Sequence, residues 1–139
     1  MNMSPLKGVP VSTDGGLRKM FRKRLPGVHW TTIETGIVER GVPDMHGTWK
    51  GKSFWIENKR ARGLEISLRP SQIGWLLRNA RSGGTAFIAV RKGKTLWLLY
   101  GGYARTLARK GLRKVPRAAL AGCWPAPWPW PAILAILAL

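Results

Sequence analysis

Cysteine is almost absent from this 139-residue chain. The single Cys123 excludes an intrachain disulfide and a cysteine-built zinc cluster. Acidic residues are nearly as scarce, with six Asp and Glu against 24 Lys and Arg. The resulting net charge is +18, with a pI near 11.6. It points to a polyanion, nucleic acid before an anionic membrane surface. The N-terminal residues lack the apolar run of a secretory signal, and nothing between residues 1 and 117 is apolar for long enough to cross a bilayer. No internal repeat is present. What the chain does have is 45% hydrophobic residues, enough for one packed domain.

Along the chain, residues 1–13 read as a flexible arm, 14–117 as one domain, and 118–139 as an apolar tail. Leu17, Met20, Phe21 and Leu25 recur at helical spacing after Asp14, a candidate cap, and Pro26-Gly27 ends the run. The β-branched stretch 29–40 suggests a strand. "SFWIENK" suggests another, with a turn at "KGK" before it. Ile73, Leu76, Leu77 and Ala80 form an apolar helical stripe stopped by Gly83-Gly84. "TAFIAV" and "TLWLLY" read as buried strands joined at "RKGK", and a basic helix follows over about 103–114. This order predicts an α/β domain, a central mixed sheet flanked by helices.

"CWPAPWPWPAILAILAL" has no charge, three Trp and four Pro. Alternating Pro and Trp excludes an α-helix or a central strand, so an extended segment is expected. It either covers an apolar patch of its own domain or hangs loose. A partner-binding strip and a membrane-surface anchor are the functional alternatives, and we expect no membrane contact by it.

The scarce acids are not scattered. Glu34, Glu39, Asp44 and Glu57 fall in one short segment, beside Lys59. On a strand, Glu57 and Lys59 project to one side, about 7 Å apart along the chain. A turn near Met45 would fold Asp44 opposite Glu57. Two converging carboxylates repel each other, and a hard divalent cation such as Mg²⁺ relieves this while keeping waters for a phosphate. Lys59 beside it could orient a water or offset developing charge. On a basic surface, that set suits hydrolysis of a phosphodiester. Plainer roles exist for each residue. Asp44 after Pro43 can form a turn, Glu57 and Lys59 can be an exposed ion pair, and Gln72 can satisfy a helix end. His29 and His46 read as structural, and Glu65 as surface charge. "RKGKT" is no phosphate-binding loop, because Ile88 stands where its first Gly is needed.

"GVPD", a hairpin, "WIENK" and then "LRPSQIGWLL" together resemble the PD-(D/E)XK nuclease superfamily, in particular its VRR-type and phage Holliday-junction-resolvase-like small members. The resemblance covers residues 30–100 and implies a restriction-endonuclease-like core. It implies a Mg²⁺-dependent DNA endonuclease, with Mn²⁺ able to substitute, selective for branched DNA rather than for sequence. Asp44 and Glu57 would be metal ligands. The family's further upstream Glu would be Glu34, with Glu39 as its rival, since the first helix has no acid. The carbonyl of Asn58 would complete the set, Lys59 would serve the attacking water, and Gln72 would help hold the site. Arg18, Arg22, Arg60, Arg62, Arg69, Arg105 and Arg109 would grip the DNA backbone without reading bases. A resolvase is expected to be a homodimer, to need no small-molecule cofactor, and to act in the cytoplasm (the host's, if phage-encoded). The alternative is a non-catalytic basic DNA-binding protein on a nuclease-like scaffold.

Overall fold

A computed structural model describes residues 13–33 and 40–139. Helix α1 (Leu17–Arg24) is followed by β1 (His29–Thr32), β2 (Met45–Trp49) and β3 (Lys52–Arg60). Then come α2 (Pro70–Arg81), β4 (Ala86–Lys92), β5 (Thr95–Tyr100), α3 (Ala104–Lys110), β6 (Leu120–Pro125) and α4 (Trp130–Leu137). The six strands form one sheet in chain order, antiparallel except for β3 and β4. Those two are parallel because α2 crosses between them. The sheet is therefore mixed and lies between helices, as the order of elements predicts.

Local chemistry accounts for the elements. The β2–β3 hairpin turns at Lys50 (φ 47°) and Gly51 (φ 79°), a pair of left-handed residues whose twist suits a two-residue hairpin. Strand β4 is apolar on both faces, as a central strand covered by helices must be. Phe54 and Ile56 of β3 share one core with Leu17 and Phe21 of α1. Leu76 of α2 and Leu107 of α3 share a second, on the opposite face, with Ile88, Val90 and Leu99. Asp14 accepts from the Gly16 N–H at 2.8 Å and from the Arg18 N–H at 3.3 Å, tying off the start of α1. Of the expected strand over 29–40, β1 accounts for 29–32, and residues 34–39 lie outside the described residues.

The C-terminal segment covers its own domain, one of the two plain expectations, but not in the extended form expected. Residues 118–139 are no extended tail. They add the edge strand β6, and α4 buries Ile133 and Leu137 in the α1 core beside Trp128. Trp128 also donates its indole N–H to the Lys94 carbonyl at 2.9 Å. The physical reason lies in where the prolines fall. Pro131 sits in the first turn of α4, where a missing N–H costs nothing, and Pro125 ends β6 on a sheet edge. Proline excludes a helix only from its interior, and residues 132–137 hold none.

Candidate active site

The site is built on the β2–β3 hairpin and the start of α2. Met45 pairs with Ile56, so Asp44, one residue before β2, lies level with Glu57. The Ile33 N–H holds the Asp44 carbonyl at 2.9 Å, which fixes the chain as it enters the strand. Asp44 Oδ1 accepts from the Asn58 backbone N–H at 3.2 Å and from Asn58 Nδ2 at 3.3 Å. Arg18 Nε lies 3.9 Å from Asp44 Oδ2.

Glu57 is 5% exposed, and its Oε2 accepts from Gln72 Nε2 at 3.0 Å. Lys59 Nζ stands 3.5 Å from the same oxygen and donates to Gln72 Oε1 at 3.2 Å. The Arg69 N–H also donates to Gln72 Oε1, at 2.9 Å, closing the N-terminus of α2. Gln72 thus satisfies the helix end, and the same side chain also contacts Lys59 and Glu57. Its oxygen caps the helix and takes Lys59, which turns its amide NH₂ onto Glu57.

The electrostatics are those of a site short of positive charge at its centre, in a protein rich in it elsewhere. Burial raises the Asp44 carboxyl to about 6, opposed chiefly by the hydrogen bonds from Asn58 and by Arg18. Burial, and then the Asp44 charge, raise the Glu57 carboxyl to about 7, against the pull of Lys59. Two hard oxygen donors thus converge where neither ionises easily on its own. Asn58 Oδ1 beside them is buried without a hydrogen-bond partner. This donor set fits a small oxygen-seeking divalent cation rather than a thiolate-seeking one. Among the described residues no group of three His, Cys, Asp or Glu gathers. Glu34 and Glu39, the candidates for a third carboxylate, lie outside the described residues.

A cavity of about 590 Å³ opens beside Lys59 and Gln72 and is lined by Arg60, Arg62 and Arg69. A second, of about 400 Å³, shares Glu65 and Ser67 with it and is lined by Arg109, Lys110 and Arg113. The two adjoin at these residues, so a basic groove runs from Lys59 to α3. Leu112 N–H donates to the Leu64 carbonyl at 2.7 Å and pins the intervening loop to the end of α3. Of the arginines singled out in the sequence, Arg60, Arg62, Arg69 and Arg109 line this groove. Arg18 stands at Asp44. Arg22, hydrogen-bonded to the Thr32 hydroxyl, and the exposed Arg105 line neither cavity. His46 packs edge-on against Trp55 at 4.6 Å, a structural contact. Asp14, read from sequence as a cap alone, is also close enough for its charge to raise the Asp44 carboxyl. Nothing in the linear spacing of residues 14 and 44 signals that proximity.

Carboxylates and a lysine at a strand hairpin, on a mixed sheet flanked by helices, define the class: a PD-(D/E)XK-type nuclease, a metal-dependent phosphodiester hydrolase. Residues 17–115 match the family model described as archaeal Holliday junction resolvase (hjc). The match spans well over half the chain, and the chain belongs to that family. It is accordingly a DNA-binding, structure-selective DNA endonuclease that depends on a divalent metal. A purely binding protein on a nuclease-like scaffold is thereby set aside. Among solved structures, the chain is similar to Archaeoglobus fulgidus Hjc, a Holliday junction resolvase from an archaeal hyperthermophile. The identity is 18%, over 61% of this chain and 74% of that one, with a TM-score of 0.49. No curated protein matches the chain.

Proposed function

We propose that this resolvase cuts DNA at Asp44, Glu57 and Lys59, with Mg²⁺ as the ion and Mn²⁺ able to replace it. The supporting observation is the convergence of two buried carboxylates on a lysine that Gln72 holds in place. Asp44 and Glu57 would hold the metal, with Glu34 as the third carboxylate and the Asn58 carbonyl beside them. When bound, the ion supplies Lewis-acid polarisation of the scissile phosphate and a more acidic water.

The protein's own groups do the rest. The Lys59 ammonium, 3.5 Å from Glu57, orients the attacking water and offsets charge developing on the phosphoryl oxygens. Gln72 positions both Glu57 and Lys59 through one amide whose orientation the Arg69 N–H dictates. Asn58 holds Asp44 by two hydrogen bonds. Arg60, Arg62, Arg69 and Arg109 carry the backbone of one strand along the groove, and Arg18, Arg22 and Arg105 extend the basic surface around it. Phosphate contacts of this kind position DNA without reading its sequence.

Resolving a four-way junction takes two symmetric cuts, which a homodimer supplies. The reaction belongs in the cytoplasm, where DNA is accessible to such an enzyme. No helix among the described residues is long and apolar enough to cross a membrane.

The test is cleavage of four-way, flapped, nicked and linear DNA with Mg²⁺, Mn²⁺ or Ca²⁺. Mg²⁺ and Mn²⁺ are expected to support cutting of the four-way junction in preference to linear duplex. Ca²⁺ is expected to support binding with little cutting, because its looser coordination activates water poorly. Equal cleavage of linear duplex, or full activity in a chelator, would refute this.

A further inference from the structure

Side chains alternate along a strand, so the α2 side of the sheet carries aligned rows across β1, β2 and β3. Asp44 lies level with Glu57 in one row. The next row holds Thr31, His46 and Trp55. The one after it joins Thr48 to Ser53, whose hydroxyls lie 3.2 Å apart. None of these last five is Lys, Arg, Asp or Glu. Thr31 and Ser53 are exposed, and His46, Thr48 and Trp55 are half-buried. Trp75 of α2, half-buried too, stands beside them, its ring centroid 5.2 Å from that of Trp55 at an interplanar angle of 67°. His46 meets the same indole at 62°, so two ring contacts fix Trp55.

Trp55, Glu57 and Lys59 follow one another on this face of β3, each about 7 Å along the strand from the next. The basic groove starts at Lys59, runs to α3 and takes in neither Trp55 nor Trp75. A DNA strand with its scissile phosphate at Asp44 and Glu57 therefore meets arginines on one side of the cut and indole rings on the other. Arginine answers to phosphate. A patch of rings without Lys or Arg, in a chain of net charge +18, answers to the uncharged part of the nucleotide, its base. In a duplex that base is paired and stacked, and drawing it out is costly. The cost is least where the base is already unpaired, as at a branch point. Stacking on a ring tolerates any base, in keeping with an enzyme that selects DNA structure.

We propose that Trp55 and Trp75 are a stacking platform for the unpaired base next to the scissile phosphate, and that this contact makes the site favour branched DNA over duplex. The inference rests on the proposed placement of that phosphate at Asp44 and Glu57. His46 positions the Trp55 ring and takes no part in the chemistry. The platform adds to affinity only when a base is free to leave the stack, so a duplex held by the same arginines gains nothing from it. Removing one stacked base, or the ring beneath it, is expected to weaken junction binding about tenfold. An abasic nucleotide removes the base and leaves every phosphate contact in place.

The test is affinity in Ca²⁺ and single-turnover cleavage in Mg²⁺ on three kinds of DNA: an intact four-way junction, the same junction with an abasic nucleotide on one or the other side of the mapped cut, and linear duplex. Wild type is expected to bind one of the two abasic junctions about tenfold more weakly than the intact one, and to cut it more slowly. Trp75→Leu keeps an apolar side chain but no ring. It should lose about tenfold on the intact junction and no more than about twofold further on the abasic one, because base and ring form one contact. Trp55→Leu should behave alike, and Trp75→Phe, which keeps a ring, should retain most of the preference. Melting temperatures report whether each variant folds, and the abasic comparison on wild type needs no variant. Glu57→Gln should lose cleavage yet keep the abasic effect on binding, so the nuclease reading and this one fail separately. Abasic junctions bound and cut within about twofold of the intact one, on both sides of the cut, would overturn the proposal. So would a Trp75→Leu loss that is equal on intact and abasic junctions, or as large on linear duplex.

Discussion

Replacing Glu57 by Gln is expected to make the metal-free protein more stable while it destroys the site. Burial and the neighbouring Asp44 raise the Glu57 carboxyl from 4.5 to about 7. A carboxyl whose pKa is higher folded than unfolded binds its proton more tightly in the folded state. Stability contributed by that proton is present at low pH and is lost as pH rises from about 4.5 through about 7. Above that window the folded protein carries an ionised Glu57 at a cost of about 3 kcal/mol, taking roughly 1.4 kcal/mol per pH unit. Some of this is repulsion shared with Asp44, so about 2–3 kcal/mol is expected back when the charge is removed. Gln keeps the shape and an oxygen for the Gln72 amide. For a chain of this size, that is a melting temperature higher by roughly 5–12 °C. The assay is thermal unfolding of wild type and Glu57→Gln in chelator at pH 5 and pH 8. The variant should melt higher at pH 8 and nearly level with wild type at pH 5. Added Mg²⁺ should raise wild type at pH 8 and leave the variant nearly unmoved. Equal melting temperatures at pH 8, or a variant equally advantaged at both pH values, would refute the reasoning.

Other consequences are more local. Gln72→Ala should lower kcat about 10- to 100-fold with little change in DNA affinity, since it frees Glu57 and Lys59 without removing either, and single-turnover kinetics with a parallel binding assay would show it. Ile133→Ala should cost about 3 kcal/mol in chemical denaturation yet leave cleavage intact at low temperature, because α4 supports the fold and touches none of the site residues. Log affinity for duplex DNA should fall linearly with log salt at a slope of about 0.9 per phosphate contact, and a slope near zero in a filter-binding titration would remove the groove from DNA binding.

Much of this architecture is legible in the sequence because local and global signals agree there. Alternation along "SFWIENK" separates Phe54 and Ile56 from Trp55, Glu57 and Lys59, and each set packs on its own side of the sheet. The Gly83 stop, the β4–β5 hairpin and the pairing of Asp44 with Glu57 follow from equally short-range patterns. Long-range proximity is not written in spacing. Asp14 and Arg18 come near Asp44 only because α1 packs across the sheet. The basic groove exists only because Gly111, at φ 61°, lets the chain pass so close to Leu64 that a Cβ there would stand 2.1 Å from its carbonyl oxygen. The C-terminal segment misleads for another reason. Four prolines outweigh an eight-residue apolar run when counted, but their positions confine them to a strand end, a connection and a first helical turn.

The central claim is that Asp44, Glu57 and Lys59 perform hydrolysis rather than binding. Single-turnover cleavage of a four-way junction by Asp44→Asn, Glu57→Gln and Lys59→Ala, with affinity measured in Ca²⁺ alongside, tests it most directly. Each variant is expected to lose Mg²⁺-dependent cleavage by at least a thousandfold, roughly 4 kcal/mol of barrier. Binding should persist in all three and tighten in the two that lose a negative charge near phosphate. Cleavage within tenfold of wild type in any one of them, at unchanged affinity, would contradict the account.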